Sequence, residues 1–343
     1  MTLTGCASWD EAPQSSSSNL RDSLPDAGSL KDPRSFTGVS KVESIGDVVP
    51  VAENVEPQLP VELTDADNYD VVVDDISRIL ALDLYGTYTK TLTGLGLADN
   101  IVGRTVSSTE EVLKDRPVVT QGGHNINVEA VLELHPTLVI VDHSIGPREA
   151  IDQIRDAGVT VVVMEPTRTI ESIGQDILDL GGVVGLSDIA QKLADRSVED
   201  ANKDREAIKK LVPNEPLRMA FLYARGNGGV FFILGEGSGA QDLIEGVGGI
   251  DVAAENGLNE ASPANAEALA KIDPDVFIMM EEGLESTGGI EGLLERPGVA
   301  QTKAGMNKRV ITVPDGASLS FGPQTGEVLL RTAQALYNPE QTQ

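Results

Sequence analysis

Apolar residues along this chain gather in short, near-continuous runs separated by polar stretches of helical period. RILALDL (78–84), TLVIVD (137–142), VTVVVME (159–165), RMAFLYA (218–224), VFFIL (230–234), DVFIMM (275–280) and RVITVP (309–314) are such runs. They lack the in–out alternation of a half-exposed strand, which is the pattern of strands covered on both faces. Between them, TYTKTLTGLGL reads as a helix ending at glycines, and IVGRT and VVT (118–120) as short strands. Asn127 caps a helix running through Leu134 that Pro136 stops, and a helix over 148–157 closes at Gly158. Ile170, Ile173, Ile177 and Leu180 mark one helix face ending at Gly181-Gly182. Residues 187–212 contain no Gly or Pro, and Ile189, Leu193, Ala201, Ile208 and Leu211 form a loose stripe. They predict one helix, capped by Ser187, of roughly 35–40 Å at 1.5 Å per residue. A last helix is expected from about 324 to 337, and VELTDADNYDVVV (61–73) predicts two short strands joined by an Asp/Asn turn.

One phrase occurs twice. NVEAVLELHPTLVI (127–140) returns as NAEALAKIDPDVFI (265–278), with Glu129/Glu267, Ala130/Ala268 and Pro136/Pro274 in register. LTGLGLAD (92–99) is echoed in the same order by IEGVGGID (244–251). Ordered echoes imply two lobes of one α/β topology, with a cleft between them as the place for function. The expected division is an N-terminal segment and flexible tether over 1–60, an N-terminal α/β lobe over 61–186, a connecting helix over 187–212 and a C-terminal α/β lobe over 213–343. The central sheets are expected to be mostly parallel.

Composition narrows the partners. A formal charge of −28 over 343 residues argues against nucleic acid, whose phosphates call for Lys and Arg. Aromatics at 3% give no stacking platform for bases. No run of about 18 apolar residues is present to cross a bilayer. The single cysteine, Cys6, permits neither an internal disulfide nor a cysteine metal cluster. Leu3-Thr4-Gly5-Cys6 resembles the bacterial lipobox, and the Ser/Asp/Pro/Gly-rich run that follows reads as a tether, so lipid anchoring at the outer face of the cell membrane is expected. The basic and apolar parts of a signal peptide are not in the sequence, which suggests a trimmed or misplaced start.

Two α/β lobes, one long joining helix and a lipobox cysteine resemble the substrate-binding proteins of metal-chelate uptake ABC transporters, across roughly 75–340. The twice-used N-x-E…P-(D/T) phrase carries that resemblance. Within the family, SRILALDLYGT (77–87), VVTQGGHNINVEAVL (118–132) and LYARG (222–226) are similar to the haem-binding lipoproteins of actinobacterial haem importers, the HmuT type. The resemblance implies a monomer, without enzymatic activity, that captures ferric haem b and passes it to an ABC permease and its ATPase. It assigns His124 and Tyr223 as iron ligands from opposite lobes, with Arg225 beside the tyrosine. It also implies that Glu129 and Glu267 dock on the permease.

The residue chemistry is compatible with these roles. Haem iron takes two axial ligands, and His and Tyr both serve. Arg225 lies two residues beyond Tyr223 and so leaves an extended chain on the same face, where its charge favours a phenolate. His143, ending TLVIVD with Asp142 able to orient it, is a rival ligand, while His135 beside Pro136 reads as a helix-end residue. Met280, ending the repeat partner of that strand, is either apolar filling or a contact to the macrocycle. Tyr85 and Tyr88 read as packing, with pocket lining as the alternative. Glu129 and Glu267 also suit favourable placement near helix N-termini. GEGSGA (235–240) lacks dinucleotide-loop spacing, and no G-K-[ST] or G-x-S-x-G motif is present. A siderophore or cobalamin binder of the same fold, a haem-degrading or hydrolytic enzyme, and a surface adhesin are the competing readings.

Overall fold

The near-continuous apolar runs become the central strands of two separate parallel sheets in the computed structural model, which describes residues 17–25, 30–226 and 229–339. In the N-terminal lobe the strand order is Ile101–Gly103, Ile79–Leu82, Leu138–Val141, Thr160–Val163, all parallel. Every residue of Ile79–Leu82 and Leu138–Val141 is buried, which is why those runs carry no polar alternation. The C-terminal lobe repeats the order with Ile250–Asp251, Arg218–Arg225, Val276–Met280 and Val310–Val313.

The sequence echo extends to hydrogen bonds. Asn127 and Asn265 each accept the N–H three residues on, from Ala130 at 3.2 Å and Ala268 at 2.9 Å. His135 and Asp273, at equivalent helix ends, both take positive φ, 45° and 34°. The next strands are joined alike, Thr137 N–H to the Arg78 carbonyl at 2.9 Å and Asp275 N–H to that of Arg218 at 2.7 Å.

The C-terminal sheet is larger than its counterpart. Val230–Leu234 lies antiparallel against Arg218–Arg225, and Ala261–Pro263 lies antiparallel beyond it. On the opposite edge Val39–Lys41 pairs in parallel with Val310–Val313. This corrects the expected tether through residue 60. Val42 and Val48 are buried, and the helix Ser17–Asp22 lies against the linking helix through Arg21, 3.1 Å from Asp204. The anchoring apolar residues are too widely spaced to produce a period, so composition alone pointed to a tether. Cys6 lies outside the described residues.

The linking helix is Ser187–Lys209, about 34 Å at 1.5 Å per residue. Ser187 is its first helical residue and does not cap it. Leu186 occupies the cap position, and no side chain closes that end. The helix Ile173–Val183 runs through Gly181-Gly182 instead of stopping there. A Cβ on Gly181 would lie 2.1 Å from the Cβ of Ala190, so this glycine admits the linking helix. The reversal falls at Gly185, φ +69°. VVT contributes less than a full strand: Val118 bridges to Arg104, and Thr120–Gln121 pairs with Asn125–Ile126 as a small hairpin. The pair predicted over 61–73 forms as Val61–Thr64 and Asp70–Val73.

Candidate functional site

Side chains with chemistry collect at the carboxyl ends of the parallel strands in both lobes, where open α/β sheets place ligands. In the C-terminal lobe Tyr223 and Arg225 sit opposite Phe232 and Val230 on the last turn-side half of Arg218–Arg225. Their side chains share a face, and the Arg225 guanidinium carbon lies 5.2 Å from the Tyr223 ring centroid. Arg225 pairs with Asp315 and donates to the Met280 Sδ at 3.1 Å and the Ala224 carbonyl at 3.3 Å. A Cβ on Gly283 would lie 3.2 Å from its Nη1, so the guanidinium is packed as well as paired. Met280 is therefore a partner of Arg225, beside Tyr223. Tyr223 itself is half-buried.

In the N-terminal lobe His124 stands at the tip of the hairpin, after Gly122 (φ +59°) and Gly123 (φ +91°). That backbone path is open to glycine and strained for other residues. The tip is tied down from behind: the His124 carbonyl accepts from Gly146 N–H at 3.0 Å, and Ile126 N–H donates to the Gly146 carbonyl at 2.7 Å. The imidazole is exposed and takes part in no hydrogen bond or ion pair among the described residues.

His143 is oriented differently from the sequence expectation. Its Nε2 lies 2.9 Å from Asp67 Oδ1 on the 61–73 hairpin, an oxygen shared with Arg148 Nη2 at 2.9 Å. Asp142 does not orient it, because neighbouring residues at a strand end point opposite ways. Asp142 turns instead into a buried cluster. It pairs with Arg168, accepts the Tyr88 hydroxyl at 2.7 Å and accepts Ser144 N–H at 2.7 Å. Asp83 lies 3.8 Å from the same guanidinium and accepts Thr87 N–H at 2.9 Å. Arg168 is covered by the rings of Tyr85, at 4.9 Å, and Tyr88, at 5.4 Å.

The electrostatics of this cluster follow from burial. Desolvation raises the Asp83 carboxyl to about 6, against the pull of Arg168 and with the push of Asp142. Burial would depress Arg168, but Asp142 and Asp83 outweigh it and hold the guanidinium charged. Burial also raises both tyrosines, so Tyr85 and Tyr88 stay protonated. Nothing in the sequence announced Arg168, which arrives from a loop after Thr160–Val163 and carries no motif.

Glu129 and Glu267 are both exposed, in the first turns of Val128–Glu133 and Ala266–Ile272. Neither forms an ion pair among the described residues. No group of three or more His, Cys, Asp or Glu among the described residues converges as a bare metal site, and no described helix is long and apolar enough to cross a membrane.

A two-lobed binding architecture with its charged and aromatic side chains at the strand ends is thus defined, and residues 83–317 match the family described as periplasmic binding protein. The chain belongs to that family. It is 26% identical over 288 residues to an uncharacterized ABC transporter substrate-binding lipoprotein, YvrC, of Bacillus subtilis (strain 168), covering 81% of this chain and 86% of YvrC. The crystal structure of the haem-binding protein HmuT is 65% identical, with a TM-score of 0.89 over 90% of this chain and 100% of that one. The periplasmic haem-binding protein RhuT from Roseiflexus sp. RS-1 is 32% identical, with a TM-score of 0.71 over 78% and 100% of the two chains.

Proposed function

We propose that the chain captures ferric haem between its lobes and delivers it to an ABC importer, with His124 and Tyr223 as the axial pair. The protein works as a binding and transfer component and catalyses no reaction. Haem is cargo here, and its binding asks for one ligand on each lobe. Arg225, fixed by Asp315 and Met280, stabilises the negative charge that a tyrosine ligand carries.

The observation that carries this reading is a correspondence of spacing. HmuT has been solved as separate variants in which one histidine, one tyrosine or one arginine is replaced by alanine. The histidine and tyrosine so chosen are separated by the same 99 positions as His124 and Tyr223 here, and the arginine follows the tyrosine by two positions, as Arg225 does.

The remaining parts follow the same reading. A lipid on Cys6 holds the monomer at the extracytoplasmic face of the cell membrane, and Glu129 and Glu267 meet basic residues of the permease, one per lobe. The exposure of both glutamates and their matched helix positions support the docking role.

Haem titration of the soluble part tests the reading. Saturable one-to-one binding is expected, with a phenolate-to-iron charge-transfer band in the visible spectrum. Tyr223→Phe should abolish the band, and His124→Ala should shift the Soret maximum while leaving the band. Broad absorbance of loosely adsorbed haem in the wild type would overturn the assignment and turn attention to siderophores and cobalamin.

A further inference from the structure

The lobes correspond residue by residue at the cleft. Ile79 lies opposite Leu138 in one sheet as Met219 lies opposite Val276 in the other. Counting along the chain from those pairs, past the ends of Ile79–Leu82 and Leu138–Val141, sets Asp83 against Tyr223, Tyr85 against Arg225 and Asp142 against Met280. Each lobe therefore builds an aromatic ring, a guanidinium and a carboxylate at equivalent strand ends, in permuted order. The C-terminal lobe takes ring and guanidinium from one strand and its carboxylate, Asp315, from the loop after Val310–Val313. The N-terminal lobe takes carboxylate and ring from the turn after Ile79–Leu82 and its guanidinium, Arg168, from the loop after the equivalent Thr160–Val163.

Resting on the haem reading above, we infer that Tyr85 is a further ligand-contact residue: its ring, laid against Arg168, is the N-terminal lobe's wall for the flat face of the bound macrocycle. Three observations support a contact role over plain packing. Tyr85 is half-buried, whereas its neighbour Tyr88 is 3% exposed and bonded to Asp142. The Tyr85 hydroxyl has no hydrogen-bond partner among the described residues, so no internal bond accounts for it. From the opposite lobe, Tyr223 stands near enough to Tyr85 for its charge to bear on the Tyr85 hydroxyl. Tyr85 also remains neutral, through burial and then through Asp142 and Asp83. It thus acts through its ring, while Tyr223 supplies the anionic oxygen.

The guanidinium has two carboxylate partners and stays where it is, which makes the stack rigid and spares the ring's entropy on binding. A ring held in this way favours a planar, extended aromatic ligand over a globular, polar one.

The test measures haem dissociation into an excess of a haem-scavenging globin, beside spectra and melting curves, for wild type, Tyr85→Phe and Tyr85→Ala. Loss of an aromatic stack is expected to speed release about tenfold in Tyr85→Ala. Tyr85→Phe should release haem at close to the wild-type rate. The charge-transfer band should survive in both, since Tyr223 is intact, and the melting temperature of the haem-free proteins should be nearly unchanged. Release from Tyr85→Ala at the wild-type rate overturns the inference. So does loss of the band in Tyr85→Phe, which would make the Tyr85 oxygen a ligand. Failure of the wild type itself to bind haem overturns the functional reading and this assignment with it, and the wild-type titration alone reports that outcome.

Discussion

Arg225 is the residue whose partners say most about how Tyr223 works. An arginine free in solution near a tyrosine would spend most of its time hydrated. Here Asp315 on one side and the Met280 sulfur on the other hold the guanidinium 5.2 Å from the ring. A fixed cation beside an anionic ligand atom stabilises the charge that atom carries. We therefore expect Arg225→Gln to weaken haem binding at neutral pH about tenfold. Haem titration of the variant checks this, and an unchanged Kd would remove Arg225 from the ligand's electrostatics. His124, Tyr223 and Arg225 each sit in a short contiguous motif, which is why the sequence proposes them and why the neighbours Tyr223 and Arg225 could be expected on one face. Asp315 and Arg168 were not legible, since they come from loops outside any motif, Asp315 lying 90 residues from Arg225 and Arg168 lying 26 from Asp142. His143 illustrates the opposite failure: a strand end told where the residue was and not which way it pointed.

Helix and strand packing was legible in the apolar runs and the repeat, and failed where a residue's purpose lay in a neighbouring element. Gly181 and Gly182 resembled a stop signal, yet the helix Ile173–Val183 passes through them. The two make a matched experiment. A methyl on Gly181 collides with Ala190 on the linking helix, while one on Gly182 meets nothing within 4 Å. Alanine gains about 1 kcal/mol over glycine in a helix. Overpacking costs about 1–3 kcal/mol. Urea denaturation should therefore find Gly181→Ala destabilised and Gly182→Ala neutral or up to about 1 kcal/mol more stable. Equal effects would contradict the close helix approach. The segment before residue 60 also interacts with this packing: Asp204, buried on the linking helix and paired with Arg21, has its carboxyl raised to about 6, chiefly by burial. Its ordinary value is 3.8, so between about pH 4 and 6 the folded state holds a proton that the unfolded state has lost. Stability must fall as pH rises through that window. The high negative charge gives the whole protein a slope of the same sign. The prediction is therefore differential: Asp204→Asn should lose less stability than wild type between pH 5 and pH 7.5 in denaturant titrations.

At the scale of the whole molecule, the lobes are tied together by more than the linking helix. Thr87 Oγ1 donates to the Ser320 carbonyl at 2.5 Å, and Ile170 N–H donates to Asp242 at 3.2 Å, each across the lobes. A Cβ on Gly316 would press against Thr109 Oγ1 at 2.2 Å, another close approach between them. With a single helix as the joint and these contacts beside it, capture is expected with small rearrangement and no wide hinge closure. A permease reading such a protein needs signals that persist in the loaded state, and the docking role proposed above assigns them to two fixed charges on matched helices. Glu129 and Glu267 lie in equivalent first turns, exposed and without an ion-pair partner among the described residues. Reversing a charge that meets a basic residue places like charges together, which costs several kcal/mol at an interface. Neither residue takes part in the Tyr223–Arg225 or Arg168 clusters, so haem affinity of Glu129→Arg and Glu267→Arg should equal that of wild type. Haem-dependent stimulation of the importer's ATPase in lipid nanodiscs should fall about tenfold or more for each single variant and vanish for the double. The remaining stimulation of each single variant should weaken further as salt is raised, because exposed ion pairs are screened. A double variant that still stimulates as wild type would show that the twice-used phrase serves helix capping alone.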